Sequence, residues 1–149
     1  MADALRETLE TVLVVDDNDM VLRTVVMILA NAGFVVLTAR SGQEALKVAA
    51  ETKCKIQLLL SDVDMPLMSG PALGEKLKKT LPDLRVMLMS GGGQDGSLLV
   101  LNYGWAFIEK PFVVAKLVRM VKSVLATPNR SQPGGMGFDT RKDTPDPTD

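Results

Sequence analysis

The chain has 149 residues, and its hydrophobic fraction of 46% can supply the core of one domain. Lys and Arg number 17 against 18 Asp and Glu, so a net charge of −1 argues against direct binding to nucleic acid or to an anionic membrane. The absence of histidine excludes His-based catalytic triads and zinc sites, and the single cysteine excludes an internal disulfide. The longest apolar run, Val25–Ala30, is too short for a membrane span and the N-terminus lacks a signal-peptide core, so we expect a cytoplasmic protein.

Strand-like and helix-like patterns alternate along the chain. Short apolar runs predict five strands: Val12–Val15, Val35–Ala39, Leu58–Leu60, Val86–Met89 and Ala106–Ile108. Apolar residues at helical spacing predict helices between the strands. The first helix is expected to end at Gly33, the second to begin at the capping box Ser41–Glu44, and the third to begin at Gly70-Pro71 and end before Pro82. The last helix is expected at Val113–Leu125. The glycine-rich stretch after Ser90 leaves room for only a short fourth helix, at Ser97–Tyr103.

The third and fifth helices are predicted to be amphipathic. In the third, the lysines are expected to face water: Lys76, Lys78 and Lys79. In the fifth, the inward face is expected to hold Val114, Leu117, Val118, Val121 and Leu125, and the outward face Lys116, Arg119 and Lys122. Prolines are frequent and apolar residues scarce past Ala126, so we expect a lead-in at residues 1–10, one folded domain at 11–126, and a disordered tail or linker at 127–149.

Polar residues follow four of the predicted strands: Asp16 and Asp17, Asp62, Ser90, and Glu109 with Lys110. Alternating strands and helices imply a doubly wound parallel sheet, because right-handed crossovers place helices on both of its faces. The carboxyl ends of parallel strands share one edge, which is where ligands bind in such sheets. We therefore expect three carboxylates, a hydroxyl and an ammonium in one pocket. A metal bound there would have only oxygen ligands, which favours magnesium, calcium or manganese.

Four motifs in this order resemble the receiver domain of two-component response regulators: Val12–Asp17, Ser61–Pro66 followed by Gly70, Met89–Gly91, and Phe107–Phe112. The resemblance covers about residues 10 to 125 at compatible spacings. It implies an α/β, flavodoxin-like (βα)5 fold, which is a three-layer sandwich with parallel strand order 2-1-3-4-5. It also implies that one aspartate is phosphorylated.

Position by position, the resemblance assigns roles to individual residues. Asp62 matches the phospho-acceptor, and Asp16 and Asp17 match the acidic pair that holds magnesium. Asp62 and the backbone carbonyl of Asp64 complete the predicted metal ligands, with manganese as an alternative ion. The predicted phosphate-binding and switch residues are Ser90, Gly91, Lys110 and Phe107.

The chemistry of phosphoryl transfer explains why these residue types occur together. A carboxylate is a weak nucleophile, so its attack on phosphorus requires the charge on the phosphoryl oxygens to be neutralised, which magnesium and Lys110 can do. Two carboxylates about 4 to 5 Å apart repel by roughly 3 to 4 kcal/mol at an effective dielectric near 20, so the acidic trio itself argues for a cation. Each motif alone has a simpler interpretation as a helix cap, a turn, a loop or a solvated charge, and Phe107 as core packing. Their joint position at strand ends favours a site.

Three functions remain open at this point. The leading one is a non-enzymatic phospho-accepting module of a phosphorelay, which can still label itself from small donors and dephosphorylate itself. It would be either a free-standing regulator or the C-terminal receiver of a hybrid histidine kinase. The second is a haloacid dehalogenase-type phosphatase using Asp62 and Asp64, although that family carries its motif on the first strand rather than the third. The third is a receiver-like module that binds partners without phosphorylation.

The predicted partners are proteins. The phosphoryl donor is expected to be a histidine kinase or a histidine phosphotransfer protein. The output surface is expected within residues 97–125, where the apolar run Leu98–Leu101 precedes Tyr103 and Trp105. A downstream protein or a second copy of the chain would bind this surface, gated by Ser90 and Phe107.

Overall fold

A computed structural model describes residues 9–91 and 103–127 of the chain. Its elements, in chain order, are β1 Thr11–Val15, α1 Asp19–Asn31, β2 Val35–Ala39, α2 Gly42–Glu51, β3 Leu58–Asp62, α3 Gly70–Thr80, β4 Arg85–Ser90, β5 Ala106–Glu109 and α4 Val114–Ala126. The last of these is the fifth helix expected from the sequence. The expected short helix at 97–103 falls almost wholly outside the described residues, as do nearly all of the tail and of the lead-in.

The five strands form one sheet of order β2-β1-β3-β4-β5, and every neighbouring pair is parallel. The fold class and strand order predicted from the sequence are therefore confirmed. In the register of the central strands, Val15 lies beside Ser61, and Asp62 lies beside Met89. The ends of β1, β3 and β4 consequently meet along one edge.

Helices cover both faces of the sheet, and side-chain alternation along each strand divides the core in two. One cluster packs Val12, Val14, Leu58, Leu60, Met87 and Met89 against α1 and α4. The other packs Leu13, Val15, Leu59, Val86 and Leu88 against α2 and α3. The central strands are buried on both faces, which explains why they read as continuous apolar runs rather than as alternating ones.

Side chains cap three of the helices. Asn18 accepts hydrogen bonds from the backbone N–H groups of Met20 and Val21, and Ser69 accepts one from Ala72. Ser41 accepts one from the N–H of Glu44, which is one half of the predicted capping box, whereas the Glu44 side chain accepts from the N–H of Arg40 rather than from that of Ser41. Within the described ranges, no helix is long and apolar enough to cross a membrane.

Two predictions about side-chain orientation are wrong. Val114 was expected inside, but it is the first residue of α4 and 58% exposed, and the buried face of the helix begins one turn later, at Leu117. Lys78 was expected to face water, but it is half-buried. Its Nζ donates hydrogen bonds to the carbonyl of Leu84 at 2.6 Å and to that of Pro82 at 3.3 Å, so it folds under the turn between α3 and β4.

Candidate functional site

Three carboxylates meet at the carboxyl edge of the sheet. Asp16 directly follows β1, Asp17 comes next, and Asp62 is the last residue of β3. One oxygen from each lies within 4.8 Å of the others. Asp16 and Asp62 are buried, with 0% and 7% of their surface exposed, while Asp17 is exposed. The structure thus brings together the three carboxylates that the sequence predicts at this edge.

Hydrogen bonds fix Asp16 in one orientation. Its backbone N–H donates to the carbonyl of Ala39 at 3.2 Å, which ties the end of β1 to the end of β2. Its Oδ1 accepts from the N–H of Asn18 at 2.8 Å, and its Oδ2 accepts from Lys110 Nζ at 2.9 Å. Both oxygens of this fully buried carboxylate therefore have a donor, which offsets the cost of burying its charge.

Lys110 brings a positive charge into the acidic pocket. Its Nζ lies 2.9 Å from Asp16 Oδ2 and 2.9 Å from Asp62 Oδ1. Its backbone N–H donates to the carbonyl of Ser90 at 2.7 Å, so the pairing of β4 and β5 continues one residue past the strand end. The Lys110–Pro111 peptide bond is cis. One ammonium thus bridges two carboxylates that come from neighbouring strands.

The charges in the pocket do not balance. Burial raises the pKa of Asp62 above its ordinary value; Lys110 opposes this by a hydrogen bond and by its charge, whereas the charges of Asp16 and Asp17 add to it. Burial alone would lower the pKa of Lys110, but its hydrogen bonds to Asp62 and Asp16, together with their charges, raise it. Three carboxylates and one ammonium leave the ionised pocket with a net negative charge, which suits a cation.

The first residue of α3 lies directly against the peptide unit of Asp62. A Cβ atom on Gly70 would collide with the Asp62 carbonyl oxygen, and this oxygen also accepts a hydrogen bond from Ser61 Oγ at 2.9 Å. The N–H of Gly70 donates to the carbonyl of Val63 at 2.9 Å. Sequence reasoning used Gly70 only as a helix start and a motif position. This close contact requires a residue without a side chain. The only sign of it in the sequence is the glycine at position 70.

Ser90 ends β4 at the same edge of the sheet as Asp62, and Gly91 follows it. Ser90 is 1% exposed, and among the described residues no group hydrogen-bonds its hydroxyl. A Cβ atom on Gly91 would lie 4.0 Å from the Lys110 Cδ atom, which is an ordinary van der Waals contact, so a small side chain fits there without displacing the lysine. A buried hydroxyl without a partner is costly, which makes Ser90 available to an incoming acceptor group.

The remaining site predictions concern Phe107 and Asp64. Phe107 is half-buried in β5, opposite Leu88. Asp64 is exposed and follows the end of β3 by two residues. The switch role of Phe107 and the ligand role of the Asp64 carbonyl stay predictions.

The two aromatic residues of the expected output segment pack against α3. The Tyr103 and Trp105 rings stack with centroids 4.4 Å apart and planes 17° apart. A Cβ atom on Gly74 would lie 2.9 Å from the Trp105 ring, so the indole sits directly on the helix backbone. Burial raises the pKa of the Tyr103 hydroxyl, and the charge of Glu75 and a hydrogen bond to it add to the rise. The apolar run at 98–101 lies outside the described residues.

A parallel five-stranded α/β sheet with an aspartate triad and a lysine at its carboxyl edge defines a class of phosphoryl-accepting domains. A family model described as "Response regulator receiver domain" matches residues 12–122. The chain therefore belongs to the receiver-domain family of two-component systems. The phosphatase and phosphorylation-independent alternatives are not favoured.

Named relatives support this assignment. The sensor kinase CckA of Brucella abortus is 38% identical over 117 residues, which are 77% of this chain and 12% of that protein. The transcriptional regulatory protein PrrA of Mycobacterium leprae is 37% identical over 116 residues, 76% of this chain and 49% of that protein. The crystal structure of the receiver domain from the hybrid histidine kinase CckA matches with 36% identity and a TM-score of 0.66, covering 77% of this chain and 98% of that one. The chain thus spans half or less of the length of these two curated relatives.

Receiver domains generally bind Mg²⁺ at an acidic pocket, and the aspartate cluster of this chain fits such an ion. Hard divalent cations prefer oxygen ligands, and carboxylates are the ligands that the cluster offers.

Proposed function

We propose that this chain accepts a phosphoryl group on Asp62 from a phosphohistidine of a histidine kinase or a histidine phosphotransfer protein, and signals through protein contacts. The observation that carries the proposal is the placement of Lys110 Nζ 2.9 Å from Asp62 Oδ1, in a pocket where the adjacent buried Ser90 hydroxyl has no partner among the described residues. A nucleophile, a cation and a hydroxyl donor are thereby brought to one edge of the sheet.

The transfer step follows from the chemistry of these groups. An Asp62 carboxylate oxygen attacks phosphorus, an O–P bond forms, and the P–N bond to the donor imidazole breaks with its electron pair going to nitrogen. The product is an aspartyl phosphate and a free histidine on the donor. Lys110 moves its hydrogen bond from the carboxylate to a phosphoryl oxygen, and the Ser90 hydroxyl donates to another. Gly91 leaves room beside the lysine, and Phe107 responds to the displacement of Ser90.

Asp16, Asp17 and Asp62, with the Asp64 backbone carbonyl, would hold magnesium, and manganese is the alternative ion. When bound, the ion neutralises negative charge on the phosphoryl oxygens. Because both oxygens of Asp16 already accept hydrogen bonds, from Lys110 and from Asn18, Asp16 would hold the ion through a water molecule and also orients the lysine. Asp17 is exposed and can exchange water for a metal ion without loss of core packing.

The receiver unit is proposed to comprise residues 11–126, with residues 127–149 as a tail or linker, and to act in the cytoplasm. Its output is proposed to leave through residues 97–125, toward a downstream protein or a second copy of the chain. The outward face of α4 supports this, because Lys116, Arg119 and Lys122 are all exposed. We propose no enzymatic activity for the unit beyond its own phosphorylation from small donors and its own dephosphorylation.

The experiment is mass spectrometry of the intact chain after incubation with acetyl phosphate and magnesium. We expect a gain of one phosphoryl group on Asp62 and none in Asp62→Asn. The matched control is Asp64→Asn, which keeps its backbone carbonyl and should be labelled like the parent. Labelling of Asp62→Asn at another residue would contradict the acceptor assignment. Labelling that is normal in Asp64→Asn but never hydrolyses would instead favour the phosphatase interpretation, in which Asp64 is the acid/base.

A further inference from the structure

Leu67 has an unusual backbone and unusual exposure. Its φ is 71°, and it is the one residue other than glycine in the described ranges with a positive φ. Its side chain is 90% exposed, the largest fraction among the exposed large hydrophobic residues described. Positive φ suits glycine, whereas a leucine is strained there. Strained residues concentrate at functional sites, where the strain is retained for a purpose other than folding.

The loop around Leu67 is built to present this side chain. The N–H of Met68 donates to the carbonyl of Pro66 at 2.7 Å, which closes a γ-turn with Leu67 at its centre. The hydrogen bond from Gly70 to Val63 closes the base of the loop. The side chain of Met68 packs so closely on Gly42 that a Cβ atom on this glycine would overlap it. Leu67 is therefore held between anchored neighbours and projects from the loop.

The loop rises from the edge that carries the acceptor. Leu67 is five residues past Asp62, and other exposed apolar side chains follow the strands that end at this edge: Met20 after β1, and Val113 and Val114 after β5. Exposed apolar residues therefore follow the same strand ends that supply the carboxylates of the pocket. A small phosphodonor needs only the pocket, but a protein that delivers a phosphohistidine to Asp62 must also cover the surface around it.

We propose that Leu67 is a specificity-determining residue for the protein phosphodonor, and that it inserts into an apolar depression beside the phosphohistidine of that protein. This inference rests on the proposed function, because it requires a protein donor. The partner is identified by chemistry, as a phosphohistidine-bearing surface that is apolar around the histidine. The loop that carries Leu67 starts at the acceptor Asp62, so a protein docked on the acceptor would cover Leu67, and a desolvated apolar anchor contributes more than its neighbours at the rim.

Because Leu67 is strained, its replacement is expected to change stability and phosphoryl transfer in opposite directions. Leu67→Gly removes the side chain and relieves the backbone, so we expect its melting temperature to rise while transfer from a protein donor slows. A residue that served only the fold would change stability and transfer in the same direction. Leu67→Asn also tolerates positive φ and lacks the apolar side chain, so it should behave like Leu67→Gly.

The experiment measures phosphoryl transfer from two kinds of donor to the same variants. The protein probes are purified, radiolabelled, autophosphorylated histidine kinases, with the sensor kinase CckA of Brucella abortus as the first of the panel, and the fastest donor to the parent chain is kept. The small probe is acetyl phosphate with magnesium. We expect kcat/KM from the kinase to fall by about tenfold in Leu67→Gly and Leu67→Asn. Leu67→Met, which keeps an apolar side chain, should match the parent.

Acetyl phosphate should label all the variants like the parent. Kinase transfer that is undiminished in both Leu67→Gly and Leu67→Asn would overturn the inference, as would an equal loss with acetyl phosphate, which would mean that the loop shapes the pocket itself. If no kinase transfers to the parent while acetyl phosphate labels it, the protein-donor part of the proposed function fails, and this inference fails with it. If acetyl phosphate also leaves the parent unlabelled, the acceptor assignment itself is at fault.

Discussion

The two edges of the sheet differ in whether their polar side chains have hydrogen-bond partners within the chain. At the amino edge, each of three polar side chains bonds to a backbone group: Gln57 Oε1 accepts from the Thr11 N–H, Lys78 Nζ donates to the Leu84 carbonyl, and Arg85 Nη2 donates to the Thr127 carbonyl, each at 2.6 Å. At the carboxyl edge, three carboxylates share one lysine, and the Ser90 hydroxyl has no partner within the described residues.

The difference indicates that the carboxyl edge contributes less to the stability of the folded state than the amino edge does. Polar groups at the amino edge are satisfied by the chain itself, so they favour the folded state. Groups at the carboxyl edge are left incomplete in a way that a cation and a phosphoryl group can complete, and the strained Leu67 lies beyond the same edge. We therefore expect mutations to separate stability from phosphorylation differently at the two edges.

Removal of Lys110 is expected to have the largest effect. In Lys110→Met, the buried Asp16 and Asp62 lose their shared counter-charge, so the free energy of unfolding in metal-free buffer should fall by about 3 kcal/mol, and labelling by acetyl phosphate should be lost. Urea denaturation with a chelator present measures the first change, and mass spectrometry the second. Lys116→Met, on the exposed face of α4, is the control. An unchanged unfolding free energy would mean that the ion pairs do not hold the edge together.

The parent protein adds a pH signature to this test. Because the folded state raises the pKa of Lys110, its contribution to stability is complete below the ordinary lysine pKa of 10.5 and disappears as the pH rises through the raised value. The stability difference between the parent and Lys110→Met should therefore narrow at alkaline pH.

Gly70→Ala tests how closely α3 approaches the acceptor. The added Cβ would overlap the Asp62 carbonyl oxygen, and a backbone atom cannot move away as a flexible side chain can, so we expect a loss of about 2 kcal/mol in unfolding free energy. Gly91→Ala is the matched control at the same edge, because its Cβ would meet Lys110 only at 4.0 Å. Equal stability of the two variants would contradict the close contact.

Asp62→Asn is expected to stabilise the metal-free protein, raising its melting temperature by a few degrees at neutral pH. Burial raises the pKa of Asp62 in the folded state above 3.8, so the folded state holds this proton more tightly than the unfolded state does. The parent's unfolding free energy therefore falls as the pH rises from 3.8 through the raised value, and stays lower above it. The advantage of Asp62→Asn should vanish in thermal melts below pH 3.8, and an advantage that persisted there would exclude this cause.

Lys78→Met sharpens the comparison from the amino edge, with the smallest effect. It leaves the Leu84 carbonyl without the hydrogen bond from Nζ, so we expect a loss of about 1 kcal/mol in unfolding free energy, with labelling by acetyl phosphate unchanged. The control variant Lys79→Met, at an exposed neighbouring lysine, should change neither the unfolding free energy nor the labelling. Reduced labelling of Lys78→Met would show that the two edges are not independent.

The sequence was sufficient to predict the strands and helices within the described residues and the meeting of three carboxylates at one edge, because both follow from periodicity and topology. Asp16 and Asp62 end apolar runs, and parallel pairing brings such ends together regardless of how the side chains pack. The packing of individual side chains could not be predicted from the sequence. Periodicity could not predict that Lys78 folds under a turn, that Val114 is exposed, or that Leu67 has a positive φ, since each depends on distances between segments and on the particular path of a loop.

The hydrogen bond between Arg85 and Thr127 fixes the direction in which the described chain ends. Arg85 is the first residue of β4 and Thr11 the first of β1, so both ends of the folded unit emerge at the amino edge, on the far side from Asp62. Anything attached at either end, whether a natural neighbour, a fluorescent reporter or a surface linker, would act as a tether from behind. Such an attachment would leave the acceptor face uncovered.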